Sequence, residues 1–150
     1  MARLDAIEKK NVGPQVPADK EGLWASAQQK LQAGQYEPAR RELRMYVQRF
    51  PQDARADDAQ YAVGDSYLKE KQYENAIREF QRVIDTYATS DLADDAFYAA
   101  GGAAESMKWC TDARAYLGAL VQRHPKSPLV KDAKKKLDRL KKEAKNKAVC

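Results

Sequence analysis

An all-helical stacked array is predicted by three observations: an internal repeat of 37 residues, apolar positions at helical spacing, and small residues held at fixed places in each unit. The stretch Ala56-Asp57-Asp58-Ala59-Gln60-Tyr61-Ala62-Val63-Gly64 returns 37 positions later as Ala93-Asp94-Asp95-Ala96-Phe97-Tyr98-Ala99-Ala100-Gly101, identical at seven of nine places. One period earlier, Trp24, Ala25 and Ala27 stand where Tyr61, Ala62 and Gly64 stand, so a third copy precedes these two. The second half of each unit repeats as well, with Ala39, Ala76 and Ala113 in one register, Leu43, Phe80 and Leu117 in the next, then Val47, Ile84 and Val121, then Phe50, Tyr87 and His124. A period of this size marks helix pairs that cannot bury their apolar faces alone and must stack on neighbours.

Each unit reads as two helices. The first helices are expected over 19–33, 54–70 and 91–107, and the second over 36–50, 73–86 and 110–123. Lines such as Phe80, Val83, Ile84 and Tyr87 keep three-four spacing, and no stretch alternates with period two. Turns fall at Gly34-Gln35-Tyr36, Lys71-Gln72-Tyr73 and Lys108-Trp109-Cys110, while Pro51 and Pro125 end second helices because proline cannot continue the hydrogen-bond ladder. Asp53, Ser90 and Ser127 are expected to cap the helices that follow, with Pro128 at a first helical position. Ala27, Gly64 and Gly101 in the first helices, and Ala39, Ala76 and Ala113 in the second, would let two backbones approach closely beside Leu43, Phe80 and Leu117.

The set Tyr61, Gly64, Tyr73, Ala76 and Phe80 resembles the tetratricopeptide repeat, and the resemblance spans residues 19 to 130. It implies a right-handed α-solenoid of three helix-turn-helix repeats plus a C-terminal capping helix. The period is 37 rather than the usual ~34, which resembles the bacterial envelope branch of the superfamily. Within that branch, Gly34-Gln35-Tyr36, Ala39, Tyr46, Arg49-Phe50-Pro51, Ala56-Asp57-Asp58-Ala59, Tyr61 and Gly64 are similar to the C-terminal domain of the YbgF (CpoB) family, the periplasmic coordinator of the Tol-Pal system. His124-Pro125-Lys126-Ser127 fits the same pattern, whereas Ala88 replaces a proline and Cys110 a tyrosine. That resemblance implies a periplasmic protein that docks a TolA-like partner. The aromatic-Pro-x-Ser ending is shared with a second family, the repeat lipoprotein of the outer-membrane barrel-assembly machine.

Composition fits this organisation. With 43% hydrophobic and 33% charged residues, the 150-residue chain can bury a core along a solenoid but has no run long enough to span a bilayer. Residues 1–18 lack the apolar core of a signal peptide and read as a linker or a tail; Leu4 and Ile7 also suit the end of an upstream helix. If the chain is a fragment of an exported protein, the missing leader leaves the periplasm open. Repeats are expected at 19–53, 54–90 and 91–127, and a basic amphipathic cap at 128–150. Nine of the basic residues and three acidic ones lie between Lys131 and Lys147, a net of +6, so the rest of the chain sums to −1. The line Val130, Ala133, Leu137, Leu140, Ala144 suits a cap whose lysines are its solvated face. Nucleic acid or an anionic membrane is the sharper reading of those lysines, but no aromatic interleaves them, and nucleic acid is not expected.

The residues carry no signature of enzyme chemistry. His124, the single histidine, shares the packing register of Phe50 and Tyr87. No metal-ligand pair, Cys-x-x-Cys, nucleophile elbow or phosphate loop occurs, so neither metal, cofactor nor catalytic residue is expected. Gly101-Gly102 reads as a close helix contact, Cys110 as a small buried hydrophobe, and Cys150 as a free thiol or a partner for Cys110 or another chain. The tetratricopeptide resemblance implies that the first helices line a concave groove. The groove positions map to Glu21, Trp24, Gln28 and Leu31, then Asp58, Tyr61, Asp65, Leu68 and Lys69, then Asp95, Tyr98, Gly102, Glu105 and Ser106. An aromatic ladder (Trp24, Tyr61, Tyr98) and an acidic ladder (Glu21, Asp58, Asp95, continued by Asp132) would anchor a partner segment. Each ladder also has a structural reading, in helix-dipole stabilisation or in packing between units. A groove that binds a peptide competes with an assembly scaffold that uses its convex face or ends.

Overall fold

In the computed structural model, which describes residues 16–145, the helical periodicity resolves into seven α-helices and, among those residues, no strand. They are α1 (Lys20–Gln32), α2 (Tyr36–Arg49), α3 (Ala56–Lys69), α4 (Tyr73–Thr86), α5 (Leu92–Ser106), α6 (Cys110–Arg123) and α7 (Val130–Lys145). Each helix packs on the one before and the one after, and α3 also meets α5, so the fold is a tetratricopeptide-like helical solenoid built from local contacts. Leu4, Ile7 and Cys150 lie outside the described residues.

The turn inside each unit is a Schellman motif repeated three times. Gln35 N donates to the Lys30 carbonyl and Gly34 N to that of Leu31; Gln72 and Lys71 do the same to Tyr67 and Leu68, and Trp109 and Lys108 to Ala104 and Glu105. The residue after the first helix must turn left-handed, with φ of 74° at Gly34, 59° at Lys71 and 63° at Lys108. Only the first unit has the glycine that this conformation favours.

The links between units correct the expected caps. Asp53, Ser90 and Ser127 make no side-chain bond to the second or third residue of a helix. Each instead accepts the backbone N–H two residues on, from Arg55, Leu92 and Leu129, while its carbonyl accepts from the residue three on. A short side chain closes such a turn by reaching forward two residues, to Leu92 at the very start of α5 and to the residue just before α3 and α7 at the other two links. Pro128 therefore sits inside the last of these turns rather than at a first helical position, since α7 begins at Val130. Only α1 has a side-chain N-cap: Asp19 accepts from Gly22 N at 2.8 Å.

Helix pairs are held by the small-residue approach. A Cβ at Gly64 would lie 2.7 Å from the Phe80 ring, and one at Gly101 would lie 3.0 Å from Leu117. Phe80, Leu117 and Leu43 are wholly buried, as is Ala27, which stands in the glycine register of the first unit. Gly102 differs from expectation, because a Cβ there would meet nothing; it is Gly101 alone that touches the facing helix. His124 packs its ring 5.7 Å from that of Phe97. Cys110 opens α6 half-buried rather than as a core side chain, and it is not a free thiol.

The apolar core falls into two clusters. One joins Leu23, Ala27, Leu43, Tyr46, Ala59 and Val63, the other runs from Ala76 in α4 to Leu140 in α7, and Tyr67 packs against both. Beside their junction runs a polar seam. Arg40, 5% exposed, lies 4.0 Å above the Tyr67 ring and donates to Ser66 Oγ and Glu70; Arg44 donates to the Tyr67 hydroxyl at 2.8 Å and to Glu79 at 3.1 Å. One period later Ile77 replaces Arg40 and packs in the apolar cluster, so the joint between the second and third units is greasy where the first joint is polar.

α7 occupies the place of a first helix in a fourth unit and ends the array. Ala133 and Leu140 are buried, and Val130 and Leu137 are half-buried, but Ala144 is exposed, which shortens the expected apolar line. The positions that would face a following helix are Lys134, in the register of Phe97, and Asp138, in that of Gly101, and both are exposed. An exposed carboxylate stands where the close approach seen at Gly64 and Gly101 needs a small residue.

Phe80→Ala is expected to cost about 3–5 kcal/mol, and Gly64→Ala is expected to destabilise because the ring cannot retreat in a packed core. Adding Phe80→Leu to Gly64→Ala should recover stability, since it recreates the Ala27–Leu43 pair of the first unit; urea unfolding measures all three. In the turns, Lys71→Gly or Lys108→Gly should raise stability by up to about 1 kcal/mol by relieving the left-handed strain, less the glycine's extra unfolded freedom.

Candidate partner-binding face

The expected groove residues, one aromatic and one acid per unit on the first helices, differ in what they contact in the structure. At the N-terminal end, Arg55 takes both oxygens of Glu21, at 2.7 and 3.1 Å, and lies 5.2 Å from the Trp24 ring. Trp24 is half-buried with its ring 5.4 Å from that of Tyr46. Arg55 holds the Glu21 carboxyl below the usual range. Gln28 and Leu31 are half-buried on α1, Leu31 against the first apolar cluster. These residues serve the joint between the first and second units.

The C-terminal end is engaged in the same way. Lys136 of α7 lies 4.7 Å from the Tyr98 ring, and Arg139 pairs with Glu105, which is 19% exposed. Ser106 Oγ donates to the Gly102 carbonyl at 3.1 Å. Leu68 packs into the second cluster.

The centre remains open. Tyr61 is half-buried with its ring 5.1 Å from that of Phe80, and among the described residues its hydroxyl makes no hydrogen bond. Burial, with the fields of Asp95, Asp65 and Asp94 adding to it, pushes the phenol up to about 12, so it stays a protonated donor at neutral pH. The Asp58 and Asp95 carboxyls are raised by partial burial, then by the neighbouring Asp57 and Asp94. Asp65 pairs with Lys69 at 3.3 Å, but both side chains are about half exposed, and such pairs are weak and readily exchanged. Of the two ladders, then, a central acidic patch around one tyrosine is what the fold leaves accessible. It can accept a cation or amide donors and offer one hydroxyl in return. Among the described residues no set of His, Cys, Asp or Glu is placed to hold a metal, and no helix is long and apolar enough to cross a membrane.

A periodic link between units was not visible in the sequence. Ser90 Oγ donates to Asp57, and 37 residues later Ser127 Oγ donates to Asp94. In the first unit the same two positions are Lys20 and Asp53, which form an ion pair at 2.8 Å, so the link survives with donor and acceptor exchanged. Asp53 also accepts from the Tyr46 hydroxyl and from Arg55 N. Thus the first aspartate of each Asp-Asp pair binds units together, and the second makes no such link. The spacing of 33 between partners could have revealed the link; the short Ser-to-Asp spacing within one linker pointed instead to capping.

Lys20, then the Tyr46 hydroxyl and Arg55 N, hold the Asp53 carboxyl well below the usual carboxylate range. A depressed acid contributes stability that is present above its unfolded pKa of about 3.9 and is lost as pH falls toward its folded value. Asp53→Asn should therefore be less stable than wild type at pH 7, and the gap should close as pH falls below about 4; thermal melts across pH 2–7 read it. Ultraviolet titration should place one tyrosine near 12 and lose that step in Tyr61→Phe.

Comparison with known proteins agrees with the geometry of stacked helix pairs. The family model YfiO, described as an outer membrane lipoprotein, matches residues 17–147, from the approach to α1 through the end of α7. No match is found among curated proteins. The match does not extend to the Tol-Pal coordinator family that the repeat motifs resemble. Covering the whole solenoid as it does, it shows that the chain belongs to the YfiO family of outer membrane lipoproteins.

Proposed function

We propose that this chain is a non-enzymatic binding scaffold of the bacterial cell envelope, working on the periplasmic side, which receives a partner segment across the middle of the face formed by α1, α3 and α5. The observation that carries the reading is the Tyr61 hydroxyl, without a hydrogen bond among the described residues and in the field of the carboxylates of Asp65, Asp94 and Asp95. A segment with a lysine or arginine next to a backbone carbonyl would satisfy the acids and the phenol together. Family membership supports an envelope protein-interaction role and favours the barrel-assembly kind of scaffold. A TolA-like partner and a part in Tol-Pal function or division rest on the repeat motifs alone. The alternative scaffold reading, through the ends or the convex face, is favoured by one observation: Arg55, Lys136 and Arg139 already cover the outer thirds of the face.

Binding of purified envelope partners, titrated by calorimetry, separates the two. Tyr61→Ala should weaken binding by about 1 kcal/mol or more, with helicity unchanged by circular dichroism. Asp58→Lys with Asp95→Lys should slow association and flatten its salt dependence. Wild-type affinity in both folded variants would overturn the groove and leave the ends as the binding surface.

A further inference from the structure

The two ends of the solenoid are finished differently. α7 closes one with exposed Lys134 and Asp138. At the other lies Glu42 in α2, whose side chain is 4% exposed. Its Oε1 accepts from Ser26 Oγ at 3.0 Å and from Lys30, whereas its Oε2, also buried, has no hydrogen-bond partner. A buried carboxylate oxygen without a donor is costly, and such an oxygen points to a missing group.

The repeat shows what is missing. One period later the same position is Glu79, equally buried, and there both oxygens are satisfied: Gln60 of its own unit donates to Oε2 at 2.7 Å, and Arg44 of the preceding unit donates to Oε1 at 3.1 Å. Glu79 thus sits between two cations, since Arg82 also lies 3.6 Å away. Glu42 has its own-unit donors and one cation, Lys30, but no described helix stands before it to supply the counterpart of Arg44. Beside Glu42 lies a cleft of about 700 Å³, walled by Val16, Pro38 and Met45 and rimmed by Lys30, Gln35 and Arg41. Pro38 and Met45 are half-buried, an apolar floor of the kind against which a helix packs.

We propose that the N-terminal end of the solenoid is a docking surface for a helix of a partner protein that presents an arginine to Glu42, in the manner in which α2 presents Arg44 to Glu79. This surface is separate from the Tyr61 patch, and either can fail without the other. The guanidinium completes the carboxylate, and the aliphatic neighbours of the arginine cover Pro38 and Met45. The arginine is what distinguishes this partner from a merely apolar one, because only a charged or amide donor relieves the buried oxygen.

The chain supplies its own probe. A fluorescent, helix-stapled peptide of residues 36–49, which carries Arg44, is titrated by anisotropy into the full chain. It should bind, and either Arg44→Gln in the peptide or Glu42→Gln in the chain should weaken it at least fivefold. Combining the two should add no further loss, as a shared contact requires. Ser26→Ala touches only the satisfied oxygen and should leave the discrimination intact, which guards against a general loss of fold in Glu42→Gln; circular dichroism checks the same. Four results would overturn the proposal. They are absence of peptide binding, equal affinity for the wild-type and Arg44→Gln peptides, sensitivity to Glu79→Gln instead of Glu42→Gln, which would mean exchange with α2, and concentration-dependent dimers dispersed by the peptide, which would give the end to a second copy.

Discussion

The close approach of the two helices in each unit is the constraint on which the structure rests. Gly64 against Phe80 and Gly101 against Leu117 leave no room for a β-carbon, and Ala27 against Leu43 repeats the contact with the smallest side chain. Two helices that meet this tightly bury only one stripe each and leave a second stripe of apolar surface exposed. Stacking against the next pair covers that stripe, so the array is a consequence of the pair. It also explains the ending. Asp138 falls at the contact position in α7, where a carboxylate cannot make the glycine's close approach.

The joints between pairs are more individual. Three links occupy one register, Lys20–Asp53, Asp57–Ser90 and Asp94–Ser127, and they keep one geometry while the chemistry changes from an ion pair to a hydroxyl-carboxylate bond. A link of this kind contributes modest net stability, because its groups were hydrated in the unfolded chain, but a wrongly stacked neighbour would leave a partly buried carboxylate without a donor. The joints therefore choose which surfaces meet. The seam of Arg40, Arg44, Ser66, Glu70 and Glu79 adds a second layer of choice at the first joint only, and the apolar contacts around Ile77 do the equivalent work at the second through shape.

These same contacts define what is left for a partner. Arg55 closes the face of α1, and Lys136 and Arg139 close that of α5, so the region open to ligands contracts to Tyr61 and the acids about it. The two proposed surfaces, the acidic surroundings of Tyr61 and the orphaned oxygen of Glu42, are chemically distinct. As proposed, one would take an extended basic segment and the other a helix.

Sequence alone determined the array. Helix boundaries came within two residues, because periodicity, prolines and turn residues are local signals, and the contact pairs 64–80 and 101–117 followed from size complementarity repeated at fixed spacing. The positive φ at Lys71 and Lys108 was concealed, since lysine carries no mark of left-handed backbone and only the register of Gly34 betrays it. Candidate ligand-binding positions were legible as a face but not as a site. Whether Glu21 or Glu105 is available depends on Arg55, 34 residues away in one case, and on Arg139, likewise 34 away, in the other. A charge pair between units obeys no helical period, so its partners are chosen by stacking. For the same reason only the tertiary structure could separate Asp57 from Asp58, adjacent and identical in the sequence, one turned into a joint and the other left exposed. Burial decided the last distinction: Glu42 and Glu79 are the same residue in the same register, and what differs is that Arg44 donates to Glu79 while one oxygen of Glu42 has no donor.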